Sequence, residues 1–262
     1  MQLVPFSYNL RSLFVRRSST LLTVFGIGAT VAVLAGVLSL QQGFETLFTS
    51  TGRRDIAVFL RPGATNEGDS LFSLDRTQIL IKSRPEFALD ELGRPLAAAE
   101  RYLAIRRAKL DGGETNVPIR GVQPMSYQVH AELLELVDGR WPRTGADEVV
   151  VGASLPNRIR DTRLGDVITL NTTPFRVVGV FESEGSFNSE VWGDAERIGV
   201  ALERPLYNRV VAKLRPGVDV AALADELEED ERVPAKVLTE LEYLSSQTQA
   251  LSVVLLFLGG FL

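Results

Sequence analysis

The sequence predicts a membrane-anchored α+β protein, in which one transmembrane helix precedes a mixed extracytoplasmic domain. Two observations carry this expectation. No residue from Ser18 to Phe44 is charged, and beyond that stretch short runs of β-branched and apolar residues are interspersed with helical patterns.

The anchor comes first. Leu21 to Leu40 consists of Leu, Val, Ala, Ile, Phe and Gly with few hydroxyls, and about 20 such residues at about 1.5 Å rise cover a hydrocarbon core of roughly 30 Å. The transmembrane helix is therefore placed at residues 19–40. A cleaved signal sequence has an apolar region of roughly 7–15 residues, whereas this run continues through Leu34, Val37, Leu38 and Leu40. A buried helix of a soluble protein rarely extends so far without a charge. Arg11, Arg16 and Arg17 precede the span, and all 33 acidic residues follow Phe44. By the positive-inside rule the N-terminus is cytoplasmic and the acidic body lies on the opposite side. Leu3, Phe6, Leu10, Leu13 and Phe14 fall near helical spacing among the arginines, so residues 1–18 read as an amphipathic helix on the cytoplasmic membrane surface. Within the span, Gly28, Ala32 and Gly36 recur every four residues and form one strip of small side chains. Such a strip lets a second helix approach closely, although glycine is also simply common in transmembrane helices.

The body, residues 45–246, mixes both kinds of element. Strand-like runs fall at Ile56 to Leu60, Tyr102 to Leu110, Val117 to Val122, Glu148 to Val151, Val167 to Leu170, Phe175 to Phe181 and Tyr207 to Leu214, many bounded by Gly, Pro or Asp as strands are. Helical patterns fall at about 74–83, 126–137 and 219–230. Phe59-Leu60-Arg61-Pro62-Gly63 is echoed by Lys213-Leu214-Arg215-Pro216-Gly217. Pro-Gly is a common turn pair, so chance competes with an internal repeat. As a repeat, it makes the two ends of the body similar strand-helix units, at about 50–115 and 205–240, around a strand-rich insertion at about 116–204.

The C-terminus holds a second apolar run. Thr239-x-x-Glu242 has the form of a capping box, and residues 251–262 are uncharged. One long helix from about 240 is expected to enter the membrane near 250, with residues 247–262 the start of a second transmembrane helix. The chain reads as the N-terminal part of a longer membrane protein.

Composition excludes several functions. The net charge is −5 and no Lys/Arg cluster follows the span, so nucleic acid is not an expected partner. The chain contains no cysteine, which removes disulfides and thiolate metal sites. The single histidine, His130, has no local motif of a metal site or catalytic triad around it and reads as structural or surface, within a helix. Asp225, Glu226, Glu228, Glu229, Asp230 and Glu231 continue a helix rather than an EF-hand loop. Glu182, Glu184 and Glu190 lie in and around a Gly/Ser loop with no visible pocket for acid-base work. No phosphate-binding glycine motif occurs, so any ATPase is another polypeptide or another segment. No catalytic residue, cofactor or metal is expected.

An ordered set of short motifs carries a family resemblance. Asn9-Leu10-Arg11 to Arg16, followed by Thr20-Leu21-Leu22-Thr23-Val24-Phe25-Gly26-Ile27, resembles the opening of the MacB/FtsX-like permeases of ABC transporters. Gly121-Val122, Asp138-Gly139-Arg140-Trp141-Pro142, Glu148-Val149-Val150-Val151-Gly152, Leu164-Gly165-Asp166, Phe175-Arg176-Val177-Val178-Gly179-Val180-Phe181 and Glu190-Val191-Trp192 are similar, in that order, to the extracytoplasmic domain of that family. The resemblance implies four transmembrane helices, with the ectodomain between the first and second and built from two porter-like halves. It implies a homodimer in the inner membrane that works with a cytoplasmic ABC ATPase subunit, faced by Arg11, Arg16 and Arg17. It also implies a non-catalytic subunit serving export or mechanotransmission, with a periplasmic partner or a lipophilic or peptide cargo. A membrane-anchored extracytoplasmic scaffold or regulator without transport is the competing expectation.

Overall fold

In the computed structural model the described residues are 15–49 and 52–247. The segment carrying Arg11 and the expected amphipathic helix up to residue 14 lie outside them, as does the apolar run 251–262. The chain divides into two compact units, one built on the N-terminal helix and the other spanning Phe48–Ser245.

Helix α1 covers Arg17–Thr49, 33 residues, or about 50 Å at the standard rise. No residue of its apolar stretch Arg17–Leu40 is buried within the described chain. Leu22, Phe25, Ile27 and Val31 are all exposed, an arrangement that lipid and not water stabilises. Two of its hydroxyls return to the helix itself: Thr23 Oγ1 donates to Ser19 O and Thr30 Oγ1 to Gly26 O, each at 3.0 Å, which lowers the cost of placing them in hydrocarbon. Gly28, Ala32 and Gly36 are exposed, and so are Arg16 and Arg17 at the start of the helix.

The second unit opens on strand β1 (Ile56–Leu60), followed by helix α2 (Leu74–Ser83) and the long strand β2 (Ala97–Ala108). It closes on β9 (Arg209–Lys213), helix α5 (Val220–Glu228), β10 (Lys236–Thr239) and a helix, α6, over 240–247. These strands lie in the order β10-β1-β9-β2, and β1 is antiparallel to both β9 and β10. Since β2 is also antiparallel to β9, β1 runs parallel to β2 and β9 to β10. The result is two interleaved β-α-β units. The Leu-Arg-Pro-Gly echo takes one geometry at both positions. Ala64 N donates to Arg61 O and Val218 N to Arg215 O, with positive φ at Gly63 (79°) and Gly217 (84°), as a turn with Pro then Gly at its centre requires.

Every residue of β1 is buried because both faces of its sheet are covered. Ala57 and Phe59 pack with Leu80 of α2 and with Leu223 and Leu227 of α5. On the opposite face Ile56, Val58 and Leu60 pack with Val129 and with Tyr243 of α6. The predicted capping box forms at the start of α6. Glu242 N donates to Thr239 Oγ1 at 3.1 Å, and Thr239 N donates to Glu242 Oε2 at 2.8 Å.

The chain between β2 and β9 builds the rest of the sheet. It comprises β3 (Glu114–Val122), helix α3 (Pro124–Val129), β4 (Leu134–Gly139), β5 (Glu148–Gly152), β6 (Val167–Leu170), β7 (Thr173–Ser183), β8 (Val191–Asp194) and helix α4 (Ala195–Ala201). The strand order continues β2-β3-β8-β5-β7-β4, with β6 paired to β7. Strand β2 belongs to both regions, pairing with β9 over residues 97–100 and with β3 over residues 101–108.

One expected helix is corrected. The pattern at 126–137 is helical only to Val129. The chain turns at His130 and residues 134–139 form edge strand β4 on β7. Leu133 and Leu134 do face apolar neighbours, among them Phe181 and Trp192, but from the turn and the start of a strand whose backbone hydrogen bonds go to β7. The pairing partner, 40 to 49 residues away in sequence, decided the conformation.

Candidate functional site

Where β2 passes from one region to the other, the sheet carries a belt of charge in place of an apolar core. Register places the members. Glu100 on β2 lies opposite Arg209 on β9, Tyr102 opposite Arg120 on β3, and Arg120 beside Trp192 on β8. Alternation turns these side chains to one face. Glu67, from a single 3-10 turn at Glu67–Asp69, and Glu190, just before β8, complete the cluster. All five charged members, Glu67, Glu100, Arg120, Glu190 and Arg209, are buried.

Arg120 is the hub. Its Nε and Nη2 donate to Glu190 Oε2 and Oε1 at 2.7 and 2.9 Å. Its Nη1 and Nη2 donate to Glu67 at 2.8 and 3.0 Å. Arg209 Nε and Nη2 both donate to Glu100 Oε2, at 2.9 and 2.7 Å. Trp192 Nε1 donates to Glu190 Oε2 at 2.8 Å. The planar fork of a guanidinium suits this role, since it can satisfy two carboxylates at once. Burial alone would raise the carboxyl of Glu100, but Arg209 and Arg120 override it and hold the group at about 2. Glu67 is lowered in the same way, against burial, by Arg120 and then Arg209.

His130, at the end of α3, completes one side of the belt. It is fully buried, with the rings of Phe187 and Trp192 at 5.1 and 6.0 Å. Burial pushes its pKa down to about 4 despite the opposing charge of Glu100. Its Nε2 lies 3.8 Å from Glu100 Oε1, and its Nδ1 lies 3.8 Å from Oε1 of Glu240, the first residue of α6. Burial raises Glu240 to about 7, against the pull of Arg209. Glu240 Oε2 accepts from the backbone N–H of Arg53 at 3.3 Å, and Leu241 N donates back to Arg53 O at 3.2 Å. The chain entering the domain and the chain leaving it are thus tied together beside the belt. At Gly52 the backbones are so close that a Cβ would lie 2.6 Å from Leu241 Cα.

The other acids singled out from the sequence lie elsewhere. Glu182 on β7 and Glu184 are exposed and do not join Glu190. Helix α5 ends at Glu228, after which Asp230 accepts from Arg232 N and Val233 N and pairs with Arg84 at 2.8 Å. No group of acidic or histidine side chains among the described residues is arranged to hold a metal. An apolar groove of about 370 Å³ opens between Leu71, Leu103, Ile119, Ile198, Leu202 and Leu206, with Arg101 and Arg204 also lining it.

The profile of the MacB-like periplasmic core domain matches residues 20–230. The chain belongs to this family. Two solved structures are similar to this MacB-like chain. The periplasmic region of MacB from Actinobacillus actinomycetemcomitans aligns with a TM-score of 0.50 at 13% identity, covering 78% of this chain and 94% of that one. The extracellular domain of the ABC-type transporter YknZ from Gram-positive bacteria aligns with a TM-score of 0.49 at 15% identity, covering 70% of this chain and 99% of that one. A comparison with curated proteins finds no match. The MacB-like assignment agrees with the anchored α+β architecture and with the resemblance seen in the sequence motifs.

Proposed function

We propose that this MacB-like chain is the permease subunit, or the N-terminal part of one, of an ABC-type export or mechanotransmission complex. In this reading a partner ATPase hydrolyses ATP in the cytoplasm and moves the membrane helices, which move the extracytoplasmic domain. The observation that carries it is the joining of entry and exit at one point, through Arg53, Glu240 and Leu241, in a chain of this family. A domain held at two adjacent connections responds as one body when the helices on either side shift. Arg11, Arg16 and Arg17 would lie on the cytoplasmic face of the inner membrane, near the ATPase. The strip Gly28, Ala32 and Gly36 would pack against another helix, within the subunit or across a homodimer.

Purification of the chain from native membranes in mild detergent tests this. The expected result is co-purification of an ABC ATPase, lost when Arg11, Arg16 and Arg17 are replaced by Glu. Isolation of the chain with extracytoplasmic proteins and no ATPase would instead support an anchored scaffold.

A further inference from the structure

Three buried polar atoms in the belt have no hydrogen-bond partner, and they lie in a row: Glu100 Oε1, His130 Nε2 and His130 Nδ1. Glu240 Oε1 stands at the end of that row, 3.8 Å from Nδ1. Unpaired buried groups of this kind are costly, and the gaps of 3.8 Å are too short for an intervening water. A single proton resolves all of them. With Glu240 protonated and each 3.8 Å gap closed by about 1 Å, its hydroxyl can donate to Nδ1 and the imidazole Nε2–H to Glu100 Oε1.

Charge points the same way. Two guanidinium groups, Arg120 and Arg209, face three carboxylates, Glu67, Glu100 and Glu190, so the belt already carries one excess negative charge. Ionised Glu240 adds a second in a buried setting. The groups facing His130 and Glu240 from the surrounding elements are Glu100 on β2, Arg120 on β3, Arg209 on β9 and Arg53 ahead of β1; Glu67 and Tyr243 of α6 meet each other beside the same belt, Glu67 N donating to Tyr243 Oη at 3.2 Å. Apart from the two guanidinium groups already committed to the belt, the cation among them is Arg53, whose guanidinium is engaged by Asp55 and Glu132.

We infer that Glu240, His130 and Glu100 form a proton-binding site that locks the clasp between Arg53 and α6, closed when Glu240 carries a proton and released when it loses it. Neutral imidazole has one N–H. Once Glu240 ionises, either tautomer leaves one carboxylate oxygen facing a ring lone pair. The proton goes to a base in water; the Arg53 N–H bond by itself favours the ionised carboxylate, but the cost of burying the charge outweighs it, so Glu240 withdraws toward solvent and the hydrogen bonds at Arg53 N and Leu241 N open with it. The connection from the domain to the apolar run at 251–262 then becomes responsive to the pH outside the membrane.

The chain holds a single histidine, so one imidazole signal reports the site. In the full chain, in detergent micelles with ¹³C-labelled histidine, that signal is expected to move in two steps. One falls near pH 7 from Glu240 and one near pH 4 from the ring itself. Glu240→Gln, a neutral isostere of the protonated acid, removes the upper step and keeps the lower. Amide exchange at Leu241, corrected for its intrinsic pH dependence, rises at least about tenfold between about pH 6 and about pH 8 in the natural chain. The same exchange is unchanged in Glu240→Gln. A single step at the ordinary imidazole value, an upper step that survives Glu240→Gln, or equal Leu241 exchange at both pH values would each overturn the proposal.

Discussion

Arg120 reaches Glu190 through two parallel hydrogen bonds, Nε to Oε2 and Nη2 to Oε1, although the residues stand 70 positions apart. The pair joins β3 to the turn before β8 and, through Glu67, to the segment after β1. Replacing a whole buried ion network with apolar groups is often neutral, but removing one partner strands the others in low dielectric. Arg120→Met is therefore expected to cost about 3–5 kcal/mol in urea unfolding of the detergent-solubilised chain. Adding Glu190→Leu and Glu67→Leu to that variant should restore much of the loss. A cost below about 1 kcal/mol for Arg120→Met alone would show that the belt is solvated.

The pH dependence of stability follows from three shifts with different signs. Glu240 is raised to about 7, so its contribution is fully present below the ordinary carboxyl value and is lost as pH rises through about 7. His130 is lowered to about 4, so stability falls as pH drops from the ordinary imidazole value toward 4. These two nearly cancel between about pH 4.5 and about 6.5, giving a flat profile there. Glu100, held at about 2, stabilises above the ordinary carboxyl value, and that stability is lost below it. Glu240→Gln should expose the His130 slope, about 1.4 kcal/mol lost per pH unit on acidification across the flat region. Denaturant midpoints at several pH values would measure it, and a flat profile in Glu240→Gln would contradict the assignment.

Gly152 ends β5 where a side chain has no room. A Cβ there would fall on the backbone carbonyl of Asn188 and within 2.8 Å of Phe187 O. Ser154 and Ala153 hydrogen-bond to Asn188 at the same point, so the loop cannot easily retreat. Gly152→Ala is expected to destabilise the domain by about 1–3 kcal/mol, read from the unfolding midpoint. Gly145→Ala, where nothing lies within 4 Å, should cost only the strain of its positive φ. Equal effects would argue against the close approach.

Among the described residues, leaving aside the helix's own backbone, no atom lies within 4 Å of a Cβ placed at Gly28 or Gly36. Enlarging them therefore tests the proposed packing against another helix. Gly28→Leu with Gly36→Leu is expected to leave domain unfolding unchanged and to reduce the cross-linked dimer in membranes several-fold. Undiminished cross-linking would leave glycine there as a composition effect alone.

Local signals made much of the fold legible. The period of 74–83 and the apolar run 56–60 give the observed bounds of α2 and β1, and the Thr239/Glu242 box marks the start of α6. Strands β8 and β10, each four residues long, and the Ala97–Ala99 start of β2 carry too little local pattern to be read. Residues 134–139 were misleading because their apolar positions fit a helix until β7 is present to pair with them. The charge belt left a partial trace. Arg120 sits between Ile119 and Gly121 in the otherwise apolar run Val117 to Val122, and Glu190 precedes Val191 and Trp192.

A lone charge in a strand says that a partner exists and not which one. Glu67, Glu100, Glu190 and Arg209 are scattered over more than half the chain and meet only because β2 crosses from one region to the other. The sequence by itself determined the anchor, the asymmetry of charge around it, the α+β character and the family, because each depends on composition or short-range order. Only the tertiary structure decided that His130 and Glu240 face one another in the interior, because that contact is set by long-range strand pairing and by the burial that comes with it.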